Sequence, residues 1–128
     1  MPRLCLRRSK IPWQIRETRM SGNREELPNR RRAEVREFLH NGQAYTLGVS
    51  CFPNPRRVAE IFLSSRRPGS ETEAIARDGA ILASLALQHG ADITTLRHAV
   101  TRGDDGSAAT AIGVALDLLA VADIGEAP

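Results

Sequence analysis

The clearest hydrophobic pattern in the chain begins at Tyr45. Tyr45, Leu47, Val49 and Cys51 alternate with Ala44, Thr46, Gly48 and Ser50. A period of two sends one set to each side of a pleated segment, so this stretch predicts a half-buried β-strand. Val35 to Leu39 precedes it as a shorter strand, and His40-Asn41-Gly42-Gln43 joins the two. Asn-Gly tolerates positive φ at both central positions, which a type I′ hairpin turn demands. Phe52-Pro53-Asn54-Pro55-Arg56 predicts the next turn, because its two prolines remove backbone donors and are expected to stop the ladder there. Val58 to Leu63 is the third strand. A meander of this size is marginal by itself, so helices must cover one of its faces.

From Ser70 onward the period becomes helical. Ser70 with Glu73 three residues later is a capping box, and Glu71 and Glu73 suit the positive end of the helix dipole. Ile75, Leu82 and Leu85, with the small residues Gly79, Ala83 and Ala86, are expected to form the face that meets the sheet. Gly90 predicts a left-handed stop. Asp92 caps a short second helix carrying Ile93, Leu96 and Val100, which Gly103 ends. Asp104-Asp105-Gly106-Ser107 is a loop. A third helix runs from about Thr110 to Ala122, with Ile112, Ala115, Leu116 and Leu119 on one face. The predicted fold class is α+β: a three-stranded antiparallel β-meander followed by three helices packed on one face.

Charge divides the chain. Residues 1–32 hold ten Arg and Lys against three Glu, a net of +7, whereas residues 33–128 hold eight Arg against twelve Asp and Glu, a net of −4. The high isoelectric point therefore belongs to the first quarter. Residues 1–28 show no sustained period and are expected to form a disordered basic arm, with Trp13 and Ile15 as its candidate anchors and Met20 as a candidate alternative start. A folded body over 29–122 and a tail over 123–128 complete the expected organisation. The arm has two readings: a solvated tail, or a segment that attracts phosphates, since clustered arginines displace counterions from nucleic acid.

Cys5 and Cys51 are too few for a disulfide framework, and both are expected to be reduced in the cytoplasm. Cys51 ends a strand and reads as a small buried hydrophobe. The apolar runs fall short of the roughly 18 residues that a membrane span needs, so no membrane partner is expected. The basic N-terminus lacks the apolar core of a secretory signal. His40, His89 and His98 are the three histidines. Their spacing with the cysteines matches no zinc pattern, and no metal site is expected. No phosphate-binding glycine loop and no nucleophile elbow is present.

Arg66-Arg67-Pro68-Gly69 leads into the first helix. Its backbone amides could receive an anion with both arginines beside them, or Ser70 satisfies those amides and the arginines are solvated. Arg30, Arg31, Arg32, Arg66 and Arg67 are accordingly the candidate contacts for a phosphate or other anion. Arg77 and Glu73 form an i, i+4 pair of opposite sign. Glu60 has two open placements: inward, with Arg77 as its partner, or outward into solvent.

Four stretches carry a family resemblance: Ala59-Glu60-Ile61-Phe62-Leu63, Ala83-Ser84-Leu85-Ala86-Leu87-Gln88-His89-Gly90, Leu96-Arg97-His98-Ala99-Val100, and Ile112-Gly113 with Ala115-Leu116-Asp117. In this order, after a Leu27-Pro28-Asn29-Arg30-Arg31 opening, they resemble the TSCPD domain. That domain occurs in adenosylcobalamin-dependent ribonucleotide reductases and as short free-standing proteins of bacteria and phage. The resemblance spans about residues 27–120. It implies a link to deoxyribonucleotide synthesis, as an accessory module related to ribonucleoside-diphosphate reductase. The chain departs from the domain's name, having no Thr-Ser-Cys-Pro-Asp string and no Cys-x-x-Cys pair. It also lacks the cysteines and the length for a reductase barrel, so no catalytic residue is expected. No cofactor is expected to be bound by this chain, and adenosylcobalamin is implied only for a full-length reductase relative. The expected partners are a ribonucleotide reductase chain, a nucleotide or nucleic acid, or a second copy of the chain. The alternative function is a small nucleic-acid-binding protein that uses its arginine-rich arm.

Overall fold

The computed structural model describes residues 23–28, 33–53 and 56–121. Within them the elements are β1 (Ala33–His40), β2 (Gln43–Pro53), β3 (Arg56–Ser65), α1 (Glu71–Gln88), α2 (Ile93–Ala99) and α3 (Ala111–Val121). The strands form one antiparallel sheet in the order β1-β2-β3. The α+β class and the element order agree with the expectation. Residues 1–22 of the expected arm, with Cys5, the anchors Trp13 and Ile15 and the start at Met20, lie outside the described residues, as do the anion contacts at Arg30, Arg31 and Arg32 and the tail over 123–128. Residues 23–28 of the arm are described, and Arg24 and Glu25 bond to Gln88.

The hairpin turn is formed as its sequence demands, with Asn41 at φ 53° and Gly42 at φ 76°. It sets the register His40↔Gln43 and Phe38↔Tyr45. Tyr45, Leu47, Val49 and Cys51 then fall on the buried face. They meet Ile61, Leu63, Ala76, Ala80, Leu116 and Leu119 in one core cluster. The β2–β3 ladder runs further than the prolines suggest. The ladder continues through Phe52↔Arg57 to Pro53↔Arg56, because a proline at the last rung forfeits only a terminal bond. A bulge at Ser50/Cys51 leaves Ala59 as the extra residue of β3. It lets the neighbours Val58 and Ala59 both be buried. Arg57 lies over the buried Phe52 ring at 4.2 Å and pairs with Glu25 at 2.9 Å.

Glu60 lies on the side of the sheet away from the core, where it is half-buried. It pairs with Ser50 on the same side as Phe62, whereas Ile61 faces the core. Arg77 instead pairs with Glu73 at 3.6 Å.

The sheet-facing side of α1 agrees with the expectation at Ala83 and differs at the large residues. Ala76, Ala80 and Ala83 are buried against the sheet, while Ile75, Leu82 and Leu85 are turned outward. Ala80 is 1% exposed and Leu82 65%. The cause is polar. The Ser84 hydroxyl accepts a hydrogen bond from the Ile61 N–H at 2.8 Å. It shares its own hydrogen between the Ile61 and Ala80 carbonyls at 3.1 and 2.8 Å. One turn on, the buried Gln88 amide donates to the Ala59 carbonyl at 3.0 Å. These bonds hold α1 close along the free edge of β3, where only alanine-sized side chains fit between helix and strand. Gln88 also receives the segment before β1: Glu25 N–H donates to its carbonyl at 2.8 Å, and Arg24 Nε donates to its Oε1.

α1 stops at the expected place. Gly90 takes φ 110°, Gly90 N–H reaches the Leu87 carbonyl at 3.2 Å and Ala91 N–H the Ala86 carbonyl at 3.0 Å, a Schellman closure. The short second helix ends at Ala99, ahead of the expected Gly103, with Val100 extended at its end.

Ser84→Ala leaves the Ile61 N–H and C=O under α1 without their partner. It is expected to cost about 1–3 kcal/mol, less a few tenths from the better helix propensity of alanine. Urea unfolding should show a lower midpoint with an unchanged slope.

Candidate functional site

The β3–α1 turn carries two of the arginines that the sequence singles out. Arg66 is exposed, its guanidinium 3.7 Å from the Glu37 carboxylate and its N–H on the Ala44 carbonyl at 3.3 Å. Arg67 is also exposed, and its N–H donates to Ser65 Oγ at 2.9 Å. Behind them Ser70 Oγ accepts from Glu73 N–H at 3.1 Å, and Glu73 Oε1 accepts from Gly69 N–H at 3.0 Å. The capping box therefore sets a nearly buried carboxylate at the start of α1. Arg66 turns toward Glu37 and away from that terminus.

A second charged group joins α2 to α3. Arg102 grips Asp117 with two nitrogens, each at 2.7 Å, and Arg97 Nε donates to the same carboxylate at 2.9 Å. Bidentate guanidinium–carboxylate geometry is the strong form of such a pair. The Arg102 hydrogen bonds, aided by those of Arg97, outweigh partial burial and bring the Asp117 carboxyl from 3.8 to about 2. The same bonds raise the Arg102 guanidinium above its ordinary value. The group is a clip that fixes the α2–α3 connection.

That connection forms one wall of a cavity of about 310 Å³. The β1–β2 turn supplies His40, Asn41 and Tyr45; the first turns of α1 supply Thr72 and Ile75; the start of α3 supplies Thr110 and Ile112. Gly79 lets α3 come near: a Cβ there would stand 3.1 Å from the Ile112 side chain. Tyr45 is 3% exposed and its ring stacks on Phe38 at 5.5 Å. Its hydroxyl bonds to no other described residue. His40 Nε2 lies 3.3 Å from the Ala109 carbonyl and 3.4 Å from Asn41 Nδ2. One nitrogen cannot donate to the first and accept from the second at the same time. Thr110 Oγ1 accepts from Gly113 N–H at 3.2 Å and so caps α3. The Ala111 and Ile112 amides, which precede it in the first turn, bond to no described residue.

Among the described residues, no three His, Cys, Asp or Glu side chains gather as a metal site. Cys51 is buried in the core and forms no disulfide with a described residue. His89 is the C-cap of α1 and His98 lies exposed on α2. No helix among the described residues is long and apolar enough to cross a membrane. The cavity residues Tyr45, Thr72 and Thr110 escaped the sequence reading because each looks ordinary in its own segment.

Comparisons with models of protein families, with curated proteins and with solved structures find no match.

Because the folded Asp117 carboxyl lies below its unfolded value, it stabilises the fold above about pH 4 and loses that contribution as the pH falls toward 2. Allowing for its remaining exposure, Asp117→Asn is expected to cost about 1–2 kcal/mol at pH 7. Urea unfolding of both proteins between pH 7 and pH 3 checks this: the gap between them should narrow as the solution is acidified.

Proposed function

We propose that the chain is a TSCPD-like accessory module of a ribonucleoside-diphosphate reductase, which acts by contact with a reductase chain and performs no turnover alone. The supporting observation is where the resembling stretches lie. They meet in two joints. Ser84 and Gln88, from the Ala83–Gly90 stretch, bond to Ile61 and Ala59 of the β3 stretch. Arg97, from the Leu96–Val100 stretch, bonds to Asp117 of the closing helix. Beside it Val100 packs against Gly113, where an added Cβ would stand 3.5 Å from the valine. The residues that prompted the resemblance are thus those that assemble this α+β body.

Contact as the mode of action is favoured by the surface. Val35 and Phe62 flank Gly48 on the side of the sheet away from α1, and Leu39 lies further along. All three are exposed, as are Leu82 and Leu85 on the outer side of α1. Clustered apolar side chains left in water mark surfaces for a partner.

Affinity purification of the full chain from its native cells is expected to recover a ribonucleotide reductase chain. The isolated protein, supplied with adenosylcobalamin and a dithiol, is expected to convert no ribonucleotide. Conversion by the isolated protein would refute the accessory role. Recovery of nucleic acid instead, through binding that salt weakens steeply and removal of residues 1–32 abolishes, would assign the arm the leading role.

A further inference from the structure

The cavity between the hairpin turn, α1 and α3 has features that contact with a protein partner does not require. At about 310 Å³ it lies at the small end of ligand pockets. Its apolar walls are Ile75, Ala76, Gly79, Ala111 and Ile112, a lining suited to a flat hydrocarbon ring. Its polar lining residues are His40, Asn41, Tyr45, Thr72 and Thr110. The first turn of α3, a helix of 11 residues, presents the Ala111 and Ile112 amides, which bond to no other described residue. The dipole of that helix adds partial positive charge at the same end.

Tyr45 is the independent sign. A phenol hydroxyl on a side chain this deeply buried ordinarily finds a hydrogen-bond partner. Here the ring is held by Phe38, the residue lines the cavity, and no described protein group bonds to the oxygen. Burying such a hydroxyl without a partner costs free energy that a bound acceptor would restore.

The charges that are missing from the lining narrow the ligand further. None of the lining residues is Asp or Glu, so no carboxylate there pairs with an ammonium group. None is Lys or Arg, so nothing there offsets a doubly charged phosphate. A single negative charge spread over two oxygens suits two amides and a hydroxyl.

We propose that this cavity binds a small flat monocarboxylate. Its ring lies among Ile75, Ala76 and Ile112, and its carboxylate accepts hydrogen bonds from Tyr45 and the first turn of α3. His40, at the hairpin end of the cavity, flanks the carboxylate. The site is separate from the exposed sheet face and is independent of the reductase assignment.

Benzoate is the probe, titrated into the full 15N-labelled chain and followed by amide chemical shifts. Saturable shifts are expected at Ala111 and Ile112, with a Kd on the order of 1 mM. Benzylamine, of the same shape and opposite charge, should leave those amides unmoved. Tyr45→Phe keeps the ring stacked on Phe38 and removes only the oxygen, and it should weaken benzoate about tenfold. Shifts that fail to saturate, equal shifts with benzylamine, or equal benzoate affinity in Tyr45→Phe would each overturn the proposal. The amide spectrum of Tyr45→Phe before titration reports whether its fold is retained. Should that fold be lost, the benzoate and benzylamine titrations of the unaltered protein decide.

Discussion

The rest of this fold depends on how α1 is fastened to β3. Ser84 and Gln88 replace the strand neighbour that β3 lacks, supplying partners for Ile61 and Ala59. Leaving those backbone groups buried and unpaired would cost more than any single apolar contact in a core of this size gains. The polar ties therefore choose the rotation of α1, and the apolar residues follow. Alanines go under the helix, Gly79 turns toward Ile112, and Ile75 reaches the cavity while Leu82 stays in water.

How much of this was legible depends on the range of the forces. The Asn41-Gly42 turn, the alternation from Tyr45 to Cys51 and the Ser70–Glu73 cap are local, and each was readable from a few adjacent residues. The inward face of α1 was not. Ile75, Leu82 and Leu85 make one apolar arc and Ala76, Ala80 and Ala83 another, and hydrophobicity alone favours the first. What selects the second is a set of three hydrogen bonds to a strand more than twenty positions earlier, which no helical period records. Glu60 was undecidable for a related reason: its side follows from the pairing with Ser50, and the bulge at Ala59 shifts that register.

The candidate site was illegible in a different way. Its lining comes from three segments that meet only after α2 and α3 have folded back beside α1. The Arg97–Asp117–Arg102 clip holds that return in place, although in the sequence these residues look like ordinary surface charges. The arginines that the sequence did offer beside a described helix start, Arg66 and Arg67, are exposed, with Arg66 facing Glu37 and the Ser70–Glu73 capping box formed behind them. The arginine pair and the cavity lie in different parts of the molecule.

The same Ser84 and Gln88 bonds bear on self-association. A sheet grows by offering bare backbone to an incoming chain, and along the middle of β3 that offer is withdrawn. Lengthening of the sheet by an added polypeptide is left to the opposite margin. There β1 carries Glu34, Arg36 and Glu37 in close succession, and mixed charge of this kind discourages templated aggregation. One margin is protected by side-chain surrogates and the other by electrostatics, so a chain with much apolar surface in water need not polymerise through its strands.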